Sequence, residues 1–213
     1  MSLSWTLGFW LIASYLLGSI PTSLLVARLA AGIDLRKVGS GNLGATNLYR
    51  QLGWRYAIPV ALLDIAKGTI PTVLFSKALN GGMLTAAVLG VMAVIGHVFS
   101  IFVGFKGGKG VATSAGVILG LAPVGFGCSL VAWVLMVRLT GYVSVGSIIA
   151  AIVFPIAAWI GDITTRPIIL VFVAMSAAVV LLHRQNIRRL LQGTENRFGK
   201  RGNPAGNPSG AGS

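Results

Sequence analysis

Long apolar runs occupy most of this 213-residue chain and limit the class of fold that it can adopt. Hydrophobic residues make up 55% of the sequence and charged residues only 10%, well below the roughly 25% charged residues of a typical soluble domain. The runs 3–31, 56–79, 83–105 and 143–160 are long enough to cross a bilayer, which takes about 20 helical residues. We therefore predict an all-α integral membrane protein.

The remaining apolar runs are shorter, and they leave two arrangements open. Residues 111–121 and 124–137 meet at Pro123, and a last run covers residues 168–182. If each run is one crossing, residues 1–200 form a single compact bundle of seven transmembrane helices, two of them short. The alternative is five full spans with the two runs around Pro123 as a re-entrant hairpin. Both arrangements put the same loops on the same side.

The basic residues divide unequally between the two sides of this bundle. Of the 17 Lys and Arg, only Lys77 and Arg166 fall on the side opposite the C-terminus. Because basic residues concentrate in cytoplasmic loops, we expect the N-terminus outside and the C-terminus in the cytoplasm. The last residues, 201–213, are rich in Gly, Pro, Asn and Ser and are predicted to be a disordered tail.

The net charge of +13 indicates anionic partners. The aromatic residues lie in apolar runs rather than among the basic residues, which argues against nucleic acid. A cationic face suits membrane lipids with anionic headgroups and an anionic substrate. The acidic residues are scattered, so we predict no metal site.

Two polar, glycine-rich segments interrupt the apolar runs on the predicted cytoplasmic side. Glycines expose backbone N–H groups and allow close approach, and Ser, Thr and Asn side chains add neutral donors. These are the components of an anion-binding cradle, although a single Thr or Asn would also serve as a helix cap. The candidate binding residues of the first segment are Gly39, Ser40, Gly41, Asn42, Gly44, Thr46 and Asn47.

The second segment contains two lysines, Lys106 and Lys109, on either side of Gly107 and Gly108. Lysines beside backbone amides suit a phosphate group, and anchoring at the cytoplasmic surface is the simpler interpretation. The segment is not an ATP-binding P-loop, because Lys109 is followed by Gly110 rather than by Ser or Thr.

Ionisable residues inside the predicted spans are functional candidates, because a bilayer makes them costly. His97 lies near the cytoplasmic end of the third span, one helical turn before Ser100. It is either a functional group or a structural one that bonds to a neighbouring helix. Asp64 and Lys67 are one turn apart inside the second span, and we expect a structural ion pair.

A third polar group follows the last apolar run. His183, Asn186 and Arg189 recur at intervals of three, so they share one broad helical face. Arg189 can bind phosphate through two nitrogens, and Glu195 is expected to orient a basic residue of the site. A basic helix that holds lipid headgroups is the simpler alternative for this segment.

These motifs closely resemble, in order, those of the bacterial acyl-phosphate-dependent glycerol-3-phosphate acyltransferases. The resemblance extends from the first span to Phe198, and the Asp64-x-x-Lys67-Gly68 element shares it. The three motifs are Gly39-Ser-Gly-Asn-Leu-Gly-Ala-Thr-Asn47, Gly96-His97-x-Phe99-Ser-x-Phe102-x-Gly104-Phe-Lys-Gly-Gly-Lys-Gly-Val-Ala-Thr113 and His183-Arg-x-Asn186-x-x-Arg189-Leu-x-x-Gly193-x-Glu195.

The resemblance implies a reaction and a setting. A fatty acyl group moves from acyl-phosphate to glycerol 3-phosphate, giving lysophosphatidic acid and phosphate, an early step of phospholipid biosynthesis. The family implies no cofactor and no metal, and a single acyltransferase domain in the bacterial inner membrane with its active site facing the cytoplasm. It also implies functional coupling to an enzyme that produces acyl-phosphate.

We expect direct attack without a covalent enzyme intermediate, so positioning and electrostatic stabilisation dominate catalysis. The backbone amides of residues 39–44, with Asn42, Thr46 and Asn47, are assigned to the acyl-phosphate and the developing oxyanion. The proton goes to His97 or to a phosphate oxygen of a substrate, and the sequence leaves both open. Glycerol 3-phosphate is assigned to Ser40, Lys109, His183, Asn186 and Arg189.

Two other classes of function remain as alternatives. An organophosphate transporter would use the same cationic cradle, but it needs access from both sides of the membrane, and the polar candidates crowd one face. A non-catalytic protein that binds anionic lipid would not need so particular an arrangement of Gly, Ser, Thr and Asn.

Overall fold

The computed structural model describes residues 3–162 and 165–198, and these residues form helices joined by short loops, without a β-strand. The prediction of an all-helical protein is confirmed. The predicted tail, residues 201–213, lies outside the described residues.

The helices follow one another with few long connections. A π-helical turn, Pro71–Phe75, continues α4, and a short 3₁₀ turn, Ile101–Val103, follows α6. In chain order the described helices are α1 (Leu3–Ser19), α2 (Thr22–Ala31), α3 (Ala45–Leu52), α4 (Trp54–Ile70), α5 (Ser76–Ala78), α6 (Met83–Val98), α7 (Val111–Leu121), α8 (Pro123–Thr140), α9 (Val143–Gly161), α10 (Arg166–Leu182) and α11 (Arg184–Leu191).

Several of these elements are long and apolar enough to cross a membrane. Among the described residues there are five such stretches, or up to six if α10 and α11, bent by 50° at His183, form one span. The five are Trp5–Ala31, Trp54–Ala78, Met83–Val103, Pro123–Thr140 and Val143–Gly161. A multi-pass helical bundle is therefore confirmed, and the count of seven spans stays a prediction.

Two apolar runs differ from their predicted bounds. Helix α8 is not short, because it continues past Arg138 to Thr140 and ends where Gly141 adopts a left-handed φ of 75°. The first run is two helices rather than one, with Ile20 and Pro21 between them. Proline has no N–H to continue the helical hydrogen bonds, which explains the interruption.

Glycines bring two pairs of helices into close contact. Gly96 of α6 lies against the backbone of Tyr15 in α1, and Gly116 of α7 lies against the backbone of Ile65 in α4. A Cβ at either glycine would overlap the facing carbonyl oxygen. Small residues at helix crossings let backbones approach closely in a membrane, so these two crossings fix the frame around which the other helices pack.

The structure contains the predicted ion pair between Asp64 and Lys67, and this pair ties α4 to the interruption in the first span. Lys67 Nζ lies 2.8 Å from Asp64 Oδ1 and donates to the carbonyl oxygen of Ile20 at 2.9 Å. Thr22 donates its hydroxyl to the same Asp64 oxygen. The two charged side chains are 2% and 5% exposed, so each depends on the other for its stability in the interior.

Replacing Lys67 with Met should destabilise the protein by about 3–5 kcal/mol, because it leaves the Asp64 carboxylate buried without its partner. The double variant Asp64→Asn/Lys67→Met should recover much of this loss, since Asn is neutral. Thermal unfolding in detergent measures both. A single variant as stable as the unmodified protein would contradict the structural role of the pair.

Candidate functional site

A cavity of about 520 Å³ lies between α4, α7, α8, α9 and α10, and the three polar segments meet at one end of it. Residues far apart in the sequence therefore face a common space. The predicted site residues that line the cavity are Ser40, Asn42, Gly44, Thr46, Asn47, His97, Lys109, His183, Asn186 and Glu195.

The carboxylate of Glu195 organises the third segment. Its Oε1 accepts hydrogen bonds from Ser144 Oγ at 2.9 Å and from Asn186 Nδ2 at 2.6 Å. Its Oε2 accepts from Arg189 Nε at 2.7 Å. Burial raises the pKa of Glu195, but the hydrogen bonds from Asn186, Arg189 and Ser144 outweigh burial and leave this pKa below its ordinary value. The side chain is therefore an anion at neutral pH, 3% exposed.

Lys109 joins this network through Asn186, whose Oδ1 accepts a hydrogen bond from the lysine ammonium. Burial, helped by the nearby positive charges of Arg189 and Arg50, lowers the pKa of Lys109 to about 8, although the carboxylate of Glu195 opposes the change. The ammonium is thus still mostly protonated at neutral pH. Because an ammonium has three N–H groups, Lys109 has hydrogen-bonding capacity for an anion as well as for Asn186. We define the polar end of the cavity as Lys109, His183, Asn186 and Glu195.

His183 has one ring nitrogen committed to the backbone. Its Nδ1 lies 2.7 Å from the carbonyl oxygen of Val179. Because a carbonyl oxygen only accepts, Nδ1 carries the hydrogen and donates it. The other nitrogen, Nε2, is left for a ligand: in the neutral ring it accepts from a hydroxyl, and in the protonated ring it donates to a phosphate.

His97 lies beside the buried ion pair, and Asp64 of that pair lines the same cavity. Its side chain is buried and lines the cavity, and its Nδ1 is 4.0 Å from Asp64 Oδ1. This nitrogen has no hydrogen-bond partner among the described residues. A histidine that lines a cavity beside a carboxylate can accept a proton from a bound molecule.

Asn47 shapes the first glycine-rich segment from within. Its Oδ1 accepts from the backbone N–H of Ser40 at 3.2 Å, and Gly39, at a left-handed φ of 59°, packs against it. Its Nδ2 donates, at 3.1–3.2 Å, to the carbonyl oxygens of Leu35, Val38 and Asn42. The amide of Asn47 is therefore used by the loop itself, and it holds Asn42, Gly44 and Thr46 along the cavity.

The glycines of the second segment pack against α6 instead of lining the cavity. The backbone N–H groups of Gly107 and Gly108 donate to the carbonyl oxygens of Val98 and His97 at 2.9 and 3.1 Å. These two amides are not free to bind an anion in this conformation, which differs from the predicted cradle. A Cβ at Gly108 would overlap the ring of His97. The absence of a side chain at Gly108 therefore leaves the space that the imidazole ring occupies.

The remaining predicted site residues do not line the cavity. Ser100 donates its hydroxyl to the Ser19 carbonyl oxygen, where α1 ends, and Lys106 is exposed. Gly41 turns the first segment at a φ of 70°. Arg189 contacts Glu195, which does line the cavity.

Two residues near the site carried little signal in the sequence. Ser144 on α9 lines the cavity and bonds to Glu195, but in the sequence it is one small polar residue in an apolar run. Arg50 on α3 lines the cavity and donates to the carbonyl oxygen of Asn196 at 3.3 Å. The rings of Tyr49 and Phe198 stack with centroids 4.9 Å apart, which fastens the segment that carries Glu195.

Beyond the polar end, the cavity becomes apolar. It continues between α7, α8, α9 and α10, and we define this part, the apolar arm, by Ala115, Ser147, Ala151, Phe154 and Met175.

The cavity also reaches the outer surface of the bundle. Trp54 and Ile58 of α4 and Leu130 of α8 line it and are 63%, 52% and 47% exposed. Exposed apolar side chains on spanning helices face lipid, so the cavity is accessible to a molecule that resides in the bilayer.

Comparisons with known proteins agree with this geometry. Residues 8–193 match the family model described as Glycerol-3-phosphate acyltransferase. A relative of that name from Geobacter sulfurreducens is 47% identical, and the match covers 87% of this chain and 94% of that protein. Another from Chlorobaculum parvum is 43% identical over 88% of this chain and 95% of that protein.

Two solved structures have a similar fold. One is PlsY (YgiH), an integral membrane glycerol 3-phosphate acyltransferase, in its glycerol 3-phosphate form, with a TM-score of 0.84, 39% identity, and 91% of this chain and 96% of that chain covered. The other is its lysophosphatidic acid form, with a TM-score of 0.82 and 38% identity over 91% and 95%. The family predicted from the three motifs is confirmed: the chain belongs to the glycerol-3-phosphate acyltransferase family.

Proposed function

We propose that this protein transfers a fatty acyl group from acyl-phosphate to glycerol 3-phosphate, giving lysophosphatidic acid and inorganic phosphate. One observation carries the proposal: the half-buried side chain of Lys109 shares a single cavity with the apolar arm. A phosphate and a fatty chain are thereby accommodated side by side. The glycerol 3-phosphate and lysophosphatidic acid forms of PlsY support the acceptor and the product, and the resemblance of the motifs supports the donor.

The acceptor would bind at the polar end. Lys109 and Arg189 supply positive charge, and Asn186 and His183 supply hydrogen-bonding groups, with Ser40 as a further donor. Glu195 fixes Asn186 and Arg189, so the carboxylate prepares the site without touching the substrate. Preorganised donors of this kind cost no rearrangement when the ligand binds.

The donor would bind along the first glycine-rich segment. Asn42 and Thr46 line the cavity and are placed in our proposal around the acyl-phosphate and the oxyanion that develops on its carbonyl oxygen. The neighbouring Gly39, Gly41 and Gly44 allow the loop to lie close to the phosphate, and Asn47 keeps its shape. Because acyl-phosphate is already activated, we propose that the reaction needs no cofactor.

The chemical step follows from these placements. A hydroxyl oxygen of glycerol 3-phosphate attacks the acyl carbonyl carbon, and a new ester C–O bond forms. The bond from that carbon to the phosphate oxygen breaks, and phosphate leaves with the bond electrons. We propose His97 as the group that accepts the hydroxyl proton, with a substrate phosphate oxygen as the alternative acceptor.

We further propose seven spans, an outside N-terminus and a cytoplasmic C-terminus, in one domain of residues 1–200 in the bacterial inner membrane. The unequal distribution of basic residues supports this orientation. In this orientation the polar end of the cavity faces the cytoplasm, where glycerol 3-phosphate and the acyl-phosphate-producing enzyme would be.

Labelling of intact spheroplasts with a membrane-impermeant maleimide tests the orientation. Lys77→Cys should be labelled and Lys106→Cys should not, both in a Cys128→Ser background.

Purified protein in detergent should form lysophosphatidic acid from palmitoyl-phosphate only when glycerol 3-phosphate is present, and should form none from palmitoyl-CoA. Lys109→Ala should lower kcat/KM for glycerol 3-phosphate by about 100-fold, because one charged contact to a phosphate is lost. Product formation is followed by mass spectrometry, and Lys77→Ala is the matched control.

If a folded preparation binds glycerol 3-phosphate but forms no product, the proposed acyltransferase activity is wrong. The transporter alternative would then be tested by uptake of labelled glycerol 3-phosphate into liposomes.

His97→Ala should lower kcat by about 100-fold or more, since a general base contributes this much. The KM for glycerol 3-phosphate should change little, because the residues assigned to the substrate remain. Steady-state kinetics with palmitoyl-phosphate gives both constants. A kcat within about tenfold of the unmodified enzyme would assign the proton to a phosphate oxygen of a substrate instead.

A further inference from the structure

One face of α9 follows the cavity from its polar end into the bundle. Ser144, Ser147, Ala151 and Phe154 all line the cavity, and their spacing of three, four and three residues puts them on one side of the helix. Ser144 marks the polar end, because it donates to Glu195. Phe154 comes ten residues later, which is about 15 Å along a helix.

On the neighbouring helices, the residues that line the arm also stop at a comparable distance from the polar end. On α10, Met175 lines the cavity eight residues before His183, about 12 Å away. On α7 and α8, Ile118 and Phe126 are the lining residues farthest from the polar end. All of these side chains belong to, or pack against, one core cluster that also contains Phe154.

The end of the arm at Phe154 is tightly packed, whereas several side chains along its wall are small. Phe154 is 1% exposed, and its ring centroid lies 4.5 Å from that of Phe172, with an interplanar angle of 54°. The walls between the polar end and Phe154 include Ala115, Ser147 and Ala151. Small residues leave room for a narrow ligand, and the packed aromatic pair limits its depth.

We propose that the apolar arm binds the acyl chain of the donor and that Phe154 sets the longest chain it accommodates. The inference rests on the acyl transfer proposed above. The terminal methyl group of the longest accommodated chain lies against the Phe154 ring. A shorter chain loses about fourfold in binding for each methylene group that no longer contacts the wall. A longer chain is rejected, because a packed interior does not absorb extra methylene groups.

The test compares kcat/KM for lauroyl-, myristoyl-, palmitoyl- and stearoyl-phosphate at saturating glycerol 3-phosphate. Phe154→Ala should raise the ratio of stearoyl to lauroyl activity by about tenfold, since the arm gains the volume of a ring. Ala151→Phe should lower the same ratio by about tenfold, because it closes the arm nearer to the polar end. Phe154→Leu should shift the ratio in the same direction as Phe154→Ala, to a smaller extent and with less loss of stability.

Phe172→Leu is the matched control for Phe154→Leu. It removes the same volume from the same aromatic pair, but Phe172 does not line the cavity. Its chain-length ratio should stay that of the unmodified enzyme even though its stability falls.

The proposal fails if the ratio is unchanged in active Phe154→Leu and Ala151→Phe variants, or if Phe172→Leu shifts it equally. A different result bears on the donor alone: if the unmodified protein used palmitoyl-CoA but no acyl-phosphate, the proposed donor would be wrong. The same ratio would then be measured with the matching acyl-CoA series.

Discussion

The site depends on one buried carboxylate, that of Glu195. It contacts Ser144 of α9, Asn186 and Arg189 of α11, and through Asn186 it orders Lys109 of the second glycine-rich segment. A carboxylate accepts up to about four hydrogen bonds, and here three donors from α9 and α11 bond to it, while Lys109 joins the loop before α7 to Asn186. Without this anion, the positive charges of Lys109 and Arg189 would repel each other in a site of low dielectric constant.

The same cavity has to serve two incompatible kinds of ligand group, and the bilayer explains how it does so. A spanning helix is apolar for most of its length, so polar side chains collect at the ends of the spans, where loops supply them. The cavity extends from such an end into the bundle, from Glu195 to Phe154 along a single face of α9. The position of the site in the membrane therefore explains why a phosphate can bind at the polar end and a hydrocarbon chain in the apolar arm.

Sequence patterns predicted the helical membrane bundle, the family and the polar segments, because apolar runs and long motifs are local signals. They did not predict the use of individual groups. The backbone N–H groups of Gly107 and Gly108 were expected to face an anion, but they bond to α6, and Gly108 makes room for His97. Asn47 was expected at the ligand, and it holds the loop. The hydrogen-bond partners of these groups are determined by contacts between residues far apart in the sequence. The same contacts place Ser144 in the site, although no local sequence pattern distinguishes this residue.

The most direct test of the organising role of Glu195 is the affinity for glycerol 3-phosphate, measured by calorimetry in detergent for Glu195→Gln and for the unmodified protein. Gln keeps the shape of the side chain, but it removes the charge that holds Arg189. We predict a Kd that is about tenfold or more higher, as expected when a charged hydrogen bond is lost, in a variant that still unfolds cooperatively. A folded Glu195→Gln protein with an unchanged Kd would contradict it.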